Sequence, residues 1–127
     1  MTIEGLQKTV DEWIHTYGVR YFDILTNMAI LTEETGEVAR VVARGWGEQS
    51  FKPSELDASC TPDEQKAFAK EKLAEELADL IWVAVAIANQ TDINLELAIK
   101  NSIVKKTTRD KTRHLTNKKL KENKKSI

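Results

Sequence analysis

The sequence predicts an all-α domain of four helices, and three observations carry that prediction. Apolar residues recur at spacings of three and four, no run of alternating β-branched residues is long enough for a sheet, and 2 Pro and 5 Gly leave long stretches unbroken. With 127 residues the chain fits one domain that buries roughly two-thirds of its unfolded surface, enough for a real core.

The first helix is expected from an N-cap at Thr2 to Tyr17, with Leu6, Val10, Trp13, Ile14 and Tyr17 forming a core-facing stripe and Gly18 suited to C′. The second runs from about Phe22 to Arg44 and ends where Gly45-Trp46-Gly47 frees the backbone, with Gly36 a weak point inside it. Residues 48–60 read as a polar loop interrupted by Pro53 and Ser54, long enough to be mobile or functional. The third helix has the clearest start: Thr61 as N-cap, Pro62 at N1 and Glu64 at N3 form a capping box, and the helix continues to about Asn89. Asp92 or Asn94 can cap a fourth helix through Leu95, Leu97, Ala98, Ile99, Ile103 and Val104. Apolar residues then nearly vanish. The domain is therefore drawn at 1–113, followed by a frayed basic tail at 114–127.

The longest apolar run, Leu80 to Ala88, is nine residues, well short of the ~20 that cross a bilayer. It reads as a buried helix segment. The lone Cys60 rules out an internal disulfide, and the N-terminus lacks the basic-then-apolar layout of a secretory signal, so a cytoplasmic location is expected. The net charge of -1 conceals a local +8 over residues 105–127. Such a segment is either solvated or meets something anionic, phosphates included.

The chemistry lies in two acidic pairs. At about 100° per residue, Glu34 and Glu37 fall roughly 60° apart on one face of the second helix. Ile30, Leu31, Val38 and Val41 share that arc, so the acids interrupt an apolar stripe. The third helix repeats the arrangement, with Glu76 and Asp79 among Leu73, Leu80, Val83 and Ile87. Glu-x-x-Glu spacing alone is common on solvated helices; its place on the apolar face is what argues for a site. Facing carboxylates repel, and removing each from water costs several kcal/mol. Lys72 offsets part of that charge, and a divalent cation is the simpler solution. Oxygen-only ligands favour Mg²⁺, Mn²⁺ or Ca²⁺ over zinc, for which His15, His114 and Cys60 form no convincing set. Mg²⁺ held this way keeps open positions suited to polyphosphates. Glu33, on the flank, is a lesser candidate as outer ligand or water-orienting base.

Glu33-Glu34-x-x-Glu37 followed by Glu76-x-x-Asp79 resembles the E-E-x-x-E and E-x-x-D motifs of MazG-like all-α nucleotide pyrophosphohydrolases. The context matches in Thr35-Gly36-Glu37-Val38-Ala39 and in Glu75-Glu76-Leu77-Ala78-Asp79-Leu80-Ile81-Trp82, and the likeness spans about residues 20–110. The resemblance implies a four-helix-bundle-like MazG-type fold assembled as a homo-oligomer, dimer or tetramer. It implies Glu34, Glu37, Glu76 and Asp79 as Mg²⁺ ligands, with Mn²⁺ as a possible substitute. It further implies that water attacks a nucleotide to release pyrophosphate, in a groove that a partner chain completes. With Glu33 added from its place on the flank, the expected catalytic set is Glu33, Glu34, Glu37, Glu76 and Asp79, and the first expectation is a house-cleaning enzyme that takes nucleoside triphosphates to the monophosphate and pyrophosphate.

For substrate contacts, Asn101 and Lys105 on the fourth helix are candidates for phosphates, with Arg109 continuing the stripe as either a phosphate ligand or a solvated helix end. Trp46 is the most available of the aromatic residues Tyr21, Phe22, Trp46 and Phe51 for stacking on a base, and Asn27, on the side of Glu34, can hydrogen-bond a base or sugar or be a satisfied buried amide. Phosphoribosyl-ATP and dUTP stand as alternative substrates. A helical oligomer that binds nucleic acid through its Lys-rich tail is the alternative of another class, though no docking element accompanies the basic residues.

Overall fold

The computed structural model describes residues 1–122 and is all-helical, with no strand among them. Helix α1 spans Ile3–Tyr17, α2 Ile24–Gly45, α3 Pro62–Gln90, α4 Leu95–Asp110, and a single turn, α5, Lys118–Lys121. Thr2 and Thr61 cap as expected, their hydroxyls accepting from the backbone N–H of Gly5 and Glu64.

Several boundaries shift for identifiable reasons. Helix α2 begins two residues later than expected because Asp23 is its N-cap, accepting from the Thr26 N–H at 2.8 Å. Asn94, not Asp92, caps α4; Asp92 instead adopts φ 55°, turning the chain out of α3. Gly18 has φ -89°, and it is Val19 that takes the left-handed conformation at φ 71°. Gly18 is needed for closeness, since a Cβ there would lie 3.0 Å from the Ile14 carbonyl oxygen. Helix α4 runs on past Val104 to Asp110, followed by turns and α5. Thus residues 114–122 of the basic tail carry turns and α5, and the rest of it, residues 123–127, lies outside the described residues.

Helices α2 and α3 pack along their length. They run antiparallel, because Asn27 at the start of α2 bonds Gln90 at the end of α3 while Gly45 at the end of α2 lies against Ala69 near the start of α3. Helix α1 packs on α3, and α4 packs on α1. Val10, Ile14, Val85 and Ala86 form the buried core between α1 and α3, flanked by Leu6, Tyr21, Trp82 and Leu95. An amide cluster locks this end of the bundle. Gln7 Nε2 donates to Asn89 Oδ1 and to the Ile93 carbonyl, Asn89 Nδ2 donates back to the Gln7 carbonyl and to the Tyr21 hydroxyl, and Gln7 Oε1 accepts from the Leu95 N–H. The loop after α2 is docked on the bundle: Phe51 meets Phe68 edge-on at 5.0 Å, and Arg44 pairs with Glu55 at 2.9 Å.

The apolar run Leu80–Ala88 is only partly buried within one chain. Val83, Val85, Ala86 and Ala88 are in the core, while Ile81 is 52% exposed. Among the described residues no helix is long and apolar enough to cross a membrane.

Candidate metal centre and adjoining cleft

The antiparallel seam brings the two acidic motifs together. Glu34 from α2 and Glu76 and Asp79 from α3 each present a carboxylate oxygen within 4.8 Å of the others, close enough to ligate one cation. The charge concentration is visible in the acids themselves. Partial burial, then Asp79, Glu76, Glu37 and Glu33 in turn, holds Glu34 above the usual carboxylate range. Burial, followed by Glu37 and Asp79, does the same to Glu76, and Lys72 offsets only part of it. Lys72 itself leans on Glu75 at 3.3 Å and over the Phe68 ring. The donor set is all hard oxygen and rich in negative charge, so it fits Mg²⁺ or Mn²⁺ and not a soft metal.

The fourth expected ligand, Glu37, stands apart from this trio. It is half-buried one turn along α2 and pairs with Arg40 at 3.2 Å. Its charge is nevertheless the largest electrostatic influence on Glu76 after burial, so it belongs to the same acidic patch. Glu33 is exposed beside Glu34.

A cleft of about 480 Å³ opens from the acidic centre towards the other end of α2. Glu34 and Asp79 form one wall portion, Asn27 and Ile30 continue along α2, and Trp13, Tyr21, Phe22 and Trp82 supply aromatic surface. Trp13 and Trp82 meet edge to face at 5.3 Å, which leaves Trp13 47% exposed. Tyr21 is held by its hydroxyl, which donates to Asp11 at 2.6 Å; burial first, and then that bond, push its pKa up to about 12. Arg20 also lines the cleft.

Of the expected substrate contacts, Asn27 is in this cleft, 6% exposed, with its Nδ2 donating to Gln90 Oε1 at 2.7 Å. Trp46 is not. It sits at the C-cap of α2, roughly 18 Å along the helix axis from Glu34, so the aromatic surface near the carboxylates comes from Trp13, Tyr21, Phe22 and Trp82 instead. Asn101 and Lys105 are exposed on α4, which packs on α1, and neither lines the cleft of its own chain. Trp82 was detectable, lying at i+3 from Asp79 and hence on its face. Trp13 was not, because its periodicity marks a core stripe without revealing that the stripe's edge borders a cleft. A second cavity, of about 410 Å³, lies between the docked loop and the start of α3 and includes none of the expected site residues.

The fold and the site define an all-α bundle in which carboxylates from two antiparallel helices form a cluster that could hold a metal ion, beside an aromatic cleft. The chain belongs to the MazG family: the family model described as the MazG nucleotide pyrophosphohydrolase domain matches residues 22–114. It is also 38% identical over 112 residues to the uncharacterized protein YpjD of Bacillus subtilis (strain 168), covering 88% of this chain and 89% of that protein. No solved structure matches it significantly.

Proposed function

We propose that the protein is a Mg²⁺-dependent nucleoside triphosphate pyrophosphohydrolase that cleaves the α–β phosphate bridge, giving the nucleoside monophosphate and pyrophosphate. The observation that carries this reading is the convergence of Glu34, Glu76 and Asp79 within 4.8 Å at one end of an aromatic cleft. The acids suit a metal-bound polyphosphate, and the aromatic surface suits a base; Glu34 and Asp79 line the same cleft as the aromatic residues.

In this mechanism Glu34, Glu76 and Asp79, joined by Glu37, would hold the cation. When bound, the cation neutralises phosphate oxygens and lowers the pKa of water. Glu33, exposed at the flank, orients the attacking water and receives its proton. The water oxygen bonds to one of the two phosphorus atoms of the α–β bridge as the bond from that phosphorus to the bridging oxygen breaks and its electron pair stays on that oxygen, so the pieces are monophosphate and pyrophosphate. The side chains of Trp13, Phe22 and Trp82 stack on or enclose the base, which fixes the phosphates over the acids. Asn101 and Lys105 act in trans, from a second chain of a homo-oligomer, since their own chain holds them away from this cleft.

The test is product analysis by anion-exchange chromatography after incubation with each common NTP and dNTP, with Mg²⁺, with Mn²⁺ and with EDTA. Metal-dependent monophosphate plus pyrophosphate is the expected result. Diphosphate plus phosphate would mean a different bond is cut and would discredit the assignment.

A further inference from the structure

Asn27 sits in the cleft with its orientation imposed from outside. The Phe22 backbone carbonyl can only accept, so the Gln90 side chain must turn its Nε2 to it, and the structure shows that bond. This leaves Gln90 Oε1 as the atom facing Asn27, and Oε1 also only accepts. Asn27 must therefore turn Nδ2 towards Gln90, as it does at 2.7 Å, and its Oδ1 points away. A flip of Asn27 would set two carbonyl oxygens against each other. The Phe22–Gln90–Asn27 relay thus has one direction.

Among the described residues no donor reaches Asn27 Oδ1, and none of their fully buried polar side-chain atoms lacks a partner. Oδ1 is consequently reached from open space, and the open space that Asn27 lines is the cleft shared with Glu34 and Asp79. Asn27 precedes Glu34 by two helical turns, about 10 Å along α2. With phosphates at the acids, a nucleotide's base extends towards Asn27, and the part of a base farthest from its sugar is the exocyclic substituent at position 4 of a pyrimidine or 6 of a purine. That substituent is an amino group in cytosine and adenine and an oxo group in uracil, thymine and guanine.

Resting on the function proposed above, we propose that Asn27 determines base specificity: locked as a hydrogen-bond acceptor by Gln90, it selects nucleotides whose distal substituent is an amino group, cytosine and adenine, over their oxo counterparts. Gln90 is the positioning residue. An oxo base would place an acceptor against Oδ1, and the amide has no way to turn and present a donor.

The experiment is isothermal titration of the full chain, with Mg²⁺, using the non-hydrolysable α,β-methylene analogues of CTP, ATP, UTP and GTP. The cytosine and adenine analogues are expected to bind roughly 10- to 100-fold more tightly than the other two. Asn27→Leu, close to Asn in shape, should lose that advantage and bring all four within about threefold. Gln90→Met should free Asn27 to flip, so that the uracil and guanine analogues gain affinity, a result that a purely structural role for Gln90 would not produce. Equal or tighter binding of the uracil or guanine analogue by wild type, or discrimination that survives Gln90→Met unchanged, overturns the assignment. Parallel turnover of the four natural triphosphates separates the two readings. Metal-dependent pyrophosphate release without base preference removes the specificity proposal alone, whereas no turnover and no binding of any analogue removes the function as well.

Discussion

Glu34 on α2 and Asp79 on α3 present carboxylate oxygens within 4.8 Å of each other, with Glu76 completing the triangle. Glu34 is half-buried while Asp79 is exposed rather than turned into the apolar face as the sequence suggests, and the fold holds the two together despite their repulsion.

Loss of one ligand should therefore abolish turnover without unfolding the protein. Asp79→Asn and Glu37→Gln are each expected to lower Mg²⁺-dependent kcat/KM by roughly 100- to 1000-fold, since the cation contributes several kcal/mol and each 1.4 kcal/mol is a factor of ten. Circular dichroism should remain that of the wild type. Near-wild-type hydrolysis by either variant would sink the ligand assignment.

Repulsion within the triangle predicts that the acids cost stability when no cation is bound. In EDTA at neutral pH, Glu34→Gln should melt at a higher temperature than wild type, because its neutral amide no longer opposes Glu76 and Asp79. Saturating Mg²⁺ should reverse the order by stabilising only the protein with intact ligands. A Glu34→Gln variant less stable than wild type in EDTA would show that the carboxylate makes a net favourable contact.

Tyr21 supplies a pH signature at the rim of the cleft. Its folded-state pKa, about 12, is raised above the ordinary phenol value of 10.0, so the stability it contributes is fully present below pH 10 and is lost as pH rises through about 12. Melting temperature followed from pH 8 to 12 should fall more steeply for wild type above pH 10 than for Tyr21→Phe. Parallel curves would contradict the assignment.

The exposed apolar side chains predict assembly. Ile81 on α3 and Leu97, Ile103 and Val104 on α4 are each more than half exposed in a single chain. Light scattering should show a dimer or tetramer, and Ile81→Glu should shift it towards monomer. If Lys105 acts in trans, mixing inactive Lys105→Ala and Asp79→Asn subunits restores part of the activity, because one intact composite site forms. No recovery after subunit exchange would confine Lys105 to the helix surface.

The sequence by itself determined the helical class, the capped starts of α1 and α3, and the one-turn spacing of Glu76 and Asp79. Caps and helical period act over three or four residues, so they are written in local spacing. Asp23, the N-cap of α2, falls inside the span that the sequence reading, starting at about Phe22, gives to that helix. Only the tertiary structure decided that Glu37 leans on Arg40, that Trp13 from α1 rather than Trp46 borders the cleft, and that Gln90 turns the carbonyl of Asn27 into open space. Each of these depends on which helix lies against which, and at what height. Periodicity tells a helix which side to bury; the partner it buries against is chosen by packing along the whole seam.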